Sequence, residues 1–305
     1  MLQNIQKDIL EINKKSSIEP EELILEDMQH YQNQVLSLAS KIIASNKKII
    51  LVSGGSSAGK TTTSRILQEE MAKLGVSSFV ISMDDFYFNM DTIPLRADGK
   101  HDIESPEALD IKTIKKCLGD LISKGETKLP QFDFISHKRK EENLPCKLSS
   151  GQVVFMEGLH ALNPKMIEGL DASKIMRVYI HCGGSYTYKG EEIISSRDIR
   201  LMRRMLRDVR ERDFSYEETL FMWNEVCKGE DKYILPYQKD AEEYINTFHP
   251  FEVLLYKSLL SKKLDKIKNA KGLLSKLSFV GVIDSKLVPS CSVVREFIGG
   301  YNSED

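Results

Sequence analysis

The spacing of apolar positions changes from stretch to stretch, and each period predicts an element. Residues 1–15 carry apolar side chains at the spacing of a short amphipathic helix, which Ser16, Ser17 and Pro20 break. Leu23, Met28, Tyr31, Val35, Leu38 and Ile42 then recur at helical spacing and predict a longer helix over 20–44. Ile49–Ser53 is a continuous apolar run, read as a buried strand. A Gly/Ser loop follows, then a helix over 61–74 that Gly75 ends, then a strand over 79–83. Strand, loop, helix, strand is a βαβ unit and implies a parallel sheet. Residues 89–108, with Pro94, Gly99 and Pro106, are expected to form a long surface loop, and such loops inside compact domains are usually functional. The remaining pattern predicts a helix over 109–124, a short extended piece at 129–134 and a buried strand at 153–156. Another strand at Ile175–His181, an Arg-rich helix over 195–212 and a second helix over 215–229 come next. A last strand falls within 241–246, then mostly helix over 251–280 and a tail ending REFIGGYNSED. No repeat or low-complexity segment interrupts this order.

Composition narrows the class. The chain has 305 residues, 41% hydrophobic and 29% charged, which fits an ordinary globular protein with a core large enough to need no disulfide or structural metal. Its formal net charge of -2 argues against bulk, sequence-blind nucleic-acid binding. No apolar run approaches the length of a membrane span, and the first residues have neither the apolar stretch nor the cleavage site of a signal peptide. The five cysteines are odd in number and widely spaced without C-x-x-C, so a reducing, cytoplasmic location is expected rather than a disulfide framework or a thiolate zinc site. The organisation read from these elements is an N-terminal helical segment (1–46), a nucleotide-binding domain (47–250) with a lid at about 195–230, and a C-terminal helical extension (251–305).

The decisive motif is Gly54-Gly55-Ser56-Ser57-Ala58-Gly59-Lys60-Thr61, which fits G-x-x-x-x-G-K-[ST]. Small residues let backbone N–H groups turn inward around phosphate oxygens. The helix that begins near Lys60 aims its positive end at the same anion. Lys60 reaches the β/γ-phosphates and the Thr61 hydroxyl is a natural Mg²⁺ ligand. The cradle is taken to continue to Thr62. Chance produces such a match roughly once in a hundred chains of this length, and here it also lies between an apolar run and a helix, as the mechanism requires.

The kind of phosphate-loop protein is narrowed by what surrounds the motif. No Asn-Lys-x-Asp base-reading motif of GTPases is present. Leu148-Ser149-Ser150-Gly151-Gln152 mimics a transporter-ATPase signature, but it runs straight into the strand at 153–156 and reads as a loop before that strand. Glu157 ends that strand where ligands bind in parallel sheets, which makes it a Mg²⁺ candidate beside Thr61; a solvated strand-end acid is the equal alternative. Asp84, in Ser82-Met83-Asp84-Asp85-Phe86-Tyr87, ends the second strand on the same rim. It is placed to accept a hydroxyl proton during phosphoryl transfer, or to help hold the metal; read alone, it is more simply a turn aspartate.

The stretches GGSSAGKTTTS, SMDDFY, HDIESPEALD, PQFDFISHKRKEE, VVFMEGLHAL and DIRLMRRMLRDVRER occur in an order that resembles the uridine kinase/phosphoribulokinase family, nearest its nucleoside (uridine) kinase branch, over about residues 48–250. WNEVCKGEDKYILPYQKDAEEYINT and VVREFIGG resemble a bacterial uridine-kinase-like subgroup, whose members often carry a threonyl-tRNA-synthetase-like N-terminal region that this chain is expected to lack. The resemblance implies a P-loop NTPase-type parallel sheet flanked by helices with an Arg-rich helical lid, ATP and Mg²⁺ as cofactors, and transfer of a phosphoryl group to the 5′-hydroxyl of a nucleoside, uridine or cytidine. It implies Asp84 as general base, Tyr87 as part of the acceptor site and Glu104, in Glu104-Ser105-Pro106, as the ribose-holding acid. It implies base contacts from Phe132, Phe134 and His137, with Phe132 replacing the usual Tyr. Read without the resemblance, Phe132 and Phe134 fit a buried strand face equally well. A position often Gln in uridine kinases is Glu218.

Seven arginines lie between 197 and 212, interleaved with Leu201, Met202, Met205, Leu206 and Val209 at helical spacing. Asp198, Asp208 and Glu211 leave four positive charges in surplus. Arg200, Arg203, Arg204 and Arg207 are therefore candidates to converge on triphosphate oxygens. Arg203 and Arg207 are assigned to the transfer step, Arg200 and Arg204 to nucleotide binding, and Arg200 also to the acceptor. The alternatives are a kinase of another small alcohol (pantothenate, sugar phosphate or glycerate type) and a nucleotide-gated RNA-binding or regulatory protein that uses the basic helix. A small-molecule partner is expected, with no membrane and no nucleic acid, and with room for a homo-oligomer.

Overall fold

The computed structural model describes residues 4–95, 99, 101–134 and 136–302. A wholly parallel five-stranded sheet lies at the centre, in the order Glu243–Asn246, Ile175–His181, Ile49–Ser53, Val153–Glu157, Ser78–Ser82. The chain enters through β1 (Ile5–Asp8), α1 (Ile9–Ile18) and α2 (Pro20–Ala44). The βαβ unit comes next as β2 (Ile49–Ser53), α3 (Lys60–Lys73) and β3 (Ser78–Ser82), and α3 ends at Gly75, whose φ of 83° is the left-handed conformation a glycine adopts without strain. After it lie α4 (Ile111–Ser123), β4 (Glu126–Leu129), β5 (Phe132–Asp133), β6 (Lys138–Arg139), β7 (Leu144–Lys147) and β8 (Val153–Glu157). The chain continues through β9 (Ile175–His181), β10 (Gly184–Tyr188), β11 (Glu191–Ile194), α5 (Ser196–Glu211), α6 (Tyr216–Tyr233) and β12 (Glu243–Asn246). It closes with α7 (Glu252–Leu264), α8 (Lys271–Leu277) and α9 (Arg295–Ile298).

The sheet is buried on both faces, which is why β2 reads as an unbroken apolar run. Alternate residues face opposite sides. Ile50, Val52, Phe155, Val178 and Ile180 join one core with residues of α2, α3, α5 and α7. Ile49, Leu51, Val154, Met156 and Tyr179 join the other with Ile114, Cys117, Leu118 and Leu121 of α4. The N-terminal and C-terminal segments thus share the first core with the phosphate-loop helix. Tyr31 of α2 fastens α3 directly, its hydroxyl 2.8 Å from Thr63 Oγ1.

Two expectations are corrected. Part of the helix expected over 1–15 is the strand β1, because Ile5–Asp8 pair in parallel with residues of β10 in the hairpin β10–β11, an excursion the pattern did not announce; residues 1–3 of that stretch lie outside the described residues. The extended piece at 129–134 is two strand ends, β4 pairing with β7 and β5 with β6. Pro130 lies between them and cannot donate to a continuous ladder. Residues 148–152 are the loop before β8, closed by Gln152 N–H donating to Ser149 O at 3.1 Å. Among the described residues no helix is long and apolar enough to cross a membrane.

Candidate active site

β2, β8 and β3 end at one level: Val52 stands opposite Glu157, and Glu157 opposite Ser82. The segments leaving these strands therefore meet on one rim. After β2 the loop 54–59 wraps back on itself, with Ser57 and Gly59 both left-handed (φ 56° and 84°). A side chain on Gly54 would stand 2.1 Å from Ile180 O, so neighbouring backbone holds that position to glycine. Thr63 N–H makes the first helical bond of α3, to Gly59 O at 3.0 Å, leaving the N–H groups of Lys60, Thr61 and Thr62 at an anion-receptive helix start. Lys60 Nζ folds onto Gly54 O and Gly55 O at 3.0 and 3.1 Å. Burial pulls the Lys60 ammonium pKa down, opposed by the nearby carboxylates Glu157, Asp84, Glu296 and Glu230.

Thr61 Oγ1 donates to Glu157, 3.1 and 3.2 Å from its two oxygens. A hydroxyl and a carboxylate on a phosphate-binding rim are the hard oxygens Mg²⁺ takes, and the electrostatic reach of Asp84 extends to Glu157. Among the described residues no group of three or more His, Cys, Asp or Glu is placed to hold a metal unaided. An ion here would complete its shell with phosphate oxygens and water.

Asp84 sits in the single helical turn Met83–Phe86 after β3, its N–H capped by Ser82 Oγ at 3.2 Å. Phe86 is buried and anchors that turn, and Asp85 turns away to accept the Phe132 N–H at 3.2 Å, leaving Asp84 on the cleft. The side chain faces open water but lies in a crowded cleft. The crowding pushes its carboxyl above the ordinary range, with Lys60 and Arg212 pulling the other way. Tyr87, Phe132 and Phe134 form an aromatic cluster beside it, with ring centroids 5.9 Å apart for Tyr87–Phe132 and 5.1 Å for Phe132–Phe134. Glu104 is held against α6, where a side chain on Gly229 would come within 2.8 Å of its Cβ. The same loop is tied down by Tyr233, whose hydroxyl donates to Asp102 at 2.8 Å. Burial raises the Glu104 carboxyl to about 7, against the pull of Arg204. His137 lies exposed at the turn joining β5 to β6, with φ 55°.

The arginines of α5 divide. Arg200 gives its whole fork to Glu230 of α6 at 2.6 and 2.6 Å and also donates to Ser56 O at 3.1 Å. Glu230 in turn accepts the Ser56 N–H at 2.6 Å. Arg203 and Glu252 of α7 are both 0% exposed and bonded at 2.7 and 2.9 Å, with Arg203 also donating to Thr247 O and Ser57 O. These two residues clamp the loop from behind. In this structure the donors of Arg203, expected at the transfer step, and of Arg200, expected at nucleotide and acceptor, are engaged by the buried carboxylates Glu252 and Glu230. Arg204 remains on the loop, donating to Ser56 Oγ at 2.8 Å, and Arg204, Arg207 and Arg212 surround the buried Asp208. Glu218 closes the capping box at the start of α6, accepting the Ser215 N–H at 2.8 Å.

Glu230 and Glu252 had no sequence signal of function. The two acids look like ordinary helix residues, and only the packing of α6 and α7 against the loop gives them a role. A cavity of about 270 Å³ opens on the β9 side of the loop, lined by Gly55, Ala58, His181, Cys182, Arg200 and Glu230 among others.

The sequence profile of the Phosphoribulokinase / Uridine kinase family matches residues 49–184. The chain is 28% identical over 184 residues to the uridine kinase of Ligilactobacillus salivarius, covering 60% of this chain and 77% of that protein. It is 30% identical over 201 residues to uridine-cytidine kinase A of Dictyostelium discoideum, covering 65% of this chain and 35% of that protein. Among solved structures it is similar to the phosphoribulokinase from Rhodobacter spheroides, at 17% identity and a TM-score of 0.44, covering 68% of this chain and 74% of that one.

Proposed function

We propose that this chain, whose residues 49–184 form a domain of the phosphoribulokinase/uridine kinase family, is an ATP-dependent kinase that phosphorylates the 5′-hydroxyl of a nucleoside, uridine or cytidine. The observation that carries this reading is the rim shared by the phosphate loop, Glu157 and the turn of Asp84: β2, β8 and β3 end at one level, and Thr61 Oγ1 donates to Glu157 at 3.1 Å. In that cleft the N–H groups at the start of α3 and the Lys60 ammonium hold the triphosphate. Asp84 takes the proton of the incoming hydroxyl, whose oxygen attacks the γ-phosphorus in line as ADP leaves. Thr61, with Glu157 and Asp84 behind it, would hold Mg²⁺, which would supply neutralising charge to the phosphates. Arg204, Arg207 and Arg212 supply the cationic side facing the transferred group.

The acceptor enters between α6 and the aromatic cluster. Tyr87, Phe132 and Phe134 offer ring faces to a base, and Glu104 offers a carboxylate to the ribose hydroxyls. The test is ADP release against uridine, cytidine, the purine nucleosides, pantothenate, ribulose 5-phosphate and glycerate. Turnover with uridine or cytidine is expected. Preference for a non-nucleoside alcohol moves the substrate within the kinase class, and the lack of turnover with every alcohol overturns the reading.

Glu104 also makes the reaction pH-dependent. Its carboxyl is held up at about 7 by burial, so below that pH it is protonated and loses part of its capacity to accept two hydroxyl hydrogens. The value of kcat/KM for the nucleoside is expected to rise through about pH 7, and Glu104→Gln should remove that limb. A limb that persists unchanged in E104Q would assign it elsewhere.

A further inference from the structure

Among the described residues, two carboxylates from outside the motif accept backbone N–H groups of the phosphate cradle. Glu230 takes the Ser56 N–H at one end of the loop, but its charge is already balanced by Arg200. At the other end Glu296, from the turn α9, accepts the Thr62 N–H at 3.4 Å. Thr62 is the third residue of α3, and its N–H belongs to the set that has no partner within the helix. Glu296 also lies within electrostatic reach of Lys60 and Glu157.

The turn that carries Glu296 is firmly anchored. Arg210 of α5 donates to Phe297 O at 2.8 Å and to Glu296 O at 2.6 Å. Arg295 donates to Ser285 O at 2.9 Å and Val288 O at 2.6 Å. The Phe297 ring is fully buried beneath the Arg203 guanidinium, 4.7 Å from its centroid. A side chain on Gly59 would lie 3.4 Å from Val293 Cγ2, so the same turn walls the loop. The carboxylate is thus presented to the cradle by a fixed scaffold.

We propose that Glu296 is a resident anion of the ligand-free site: it holds the Thr62 N–H until a nucleotide's phosphate displaces it, and so sets nucleotide affinity from the C-terminal turn. This rests on the reading of residues 54–62 as a polyphosphate site. A phosphate entering the start of α3 meets an N–H already engaged and a negative charge beside it. Both oppose binding; changing the carboxylate to an amide removes the charge and leaves the N–H held only by a weaker, neutral acceptor.

The experiment is calorimetric binding of Mg·ADP and of inorganic tripolyphosphate to the full chain, with thermal unfolding of the ligand-free protein. Glu296→Gln is expected to bind both ligands about three- to tenfold more tightly and to unfold at lower temperature without ligand. Arg210→Met, which unfastens the turn while leaving the carboxylate in place, should shift both affinities in the same direction and guards against a folding defect in E296Q. Unchanged affinities in both variants overturn the proposal. Weaker ADP binding with unchanged tripolyphosphate binding also overturns it, because Glu296 would then be a contact to the nucleoside. If the unaltered chain binds neither ligand, the polyphosphate site itself fails, an outcome distinct from the other two.

Discussion

Asp84→Asn is expected to lower turnover by about two to four orders of magnitude, the range a positioned general base contributes, while leaving binding of metal-free ADP intact or slightly tighter. The substitution keeps the shape of the side chain. It also leaves the Ser82 cap undisturbed, because Ser82 Oγ accepts from the Asp84 backbone N–H. What it removes is the basic oxygen in a cleft that already favours proton uptake, since crowding raises the carboxyl pKa more than Lys60 and Arg212 lower it. Loss of a negative charge near Lys60 removes a repulsion from the polyphosphate, so binding of metal-free ADP separates from turnover, while Mg·ADP also reads the support Asp84 gives the metal. Single-turnover ADP release measures turnover and calorimetry with metal-free ADP measures the hold on the polyphosphate. Unchanged turnover would take Asp84 out of the mechanism.

Arg203→Met is expected to cost about 3–5 kcal/mol of stability and to lower the unfolding midpoint by on the order of 10 °C. Arg203 and Glu252 are both 0% exposed and bonded at 2.7 Å, so removing the cation strands a buried carboxylate. Glu252 also accepts the Tyr256 hydroxyl at 2.7 Å and the His249 N–H at 3.0 Å, bonds that soften the loss without replacing the countercharge. Changing both members, in R203M/E252M, should recover part of the stability because no unpaired charge remains. Denaturant unfolding of the single and double variants checks this. A normal midpoint with collapsed turnover in R203M would restore Arg203 to the phosphate-facing group.

Arg203 also marks where reading the chain stopped short. Counting acids within 197–212 leaves four unpaired positive charges, and their simplest assignment is to triphosphate. The structure supplies Glu230 from α6, the next helix, and Glu252 from α7, 30 and 49 residues from their partners, and neutralises two of them on the back of the loop. A charge count along one helix cannot see partners that tertiary packing delivers. β1 is a similar case: the local pattern around Ile5–Asp8 is compatible with helix, and pairing with β10 decides otherwise. Glu218 stands where the resemblance places a Gln, and the structure shows it closing the capping box of α6 with Ser215.

The chain by itself determined the elements and chemistry written in contiguous residues. The phosphate loop needs small residues, a lysine and a hydroxyl at set spacing, and the doubly buried strands need unbroken apolar runs, so both are local signatures. Strand order, the meeting of the Asp84 turn and Glu157 with the phosphate loop on one rim, the pairing of Arg200 and Arg203 with Glu230 and Glu252, and the arrival of Glu296 at the start of α3 depended on tertiary structure. Each of these joins residues far apart in sequence, and their energies come from burial and charge pairing that exist only once the layers have packed.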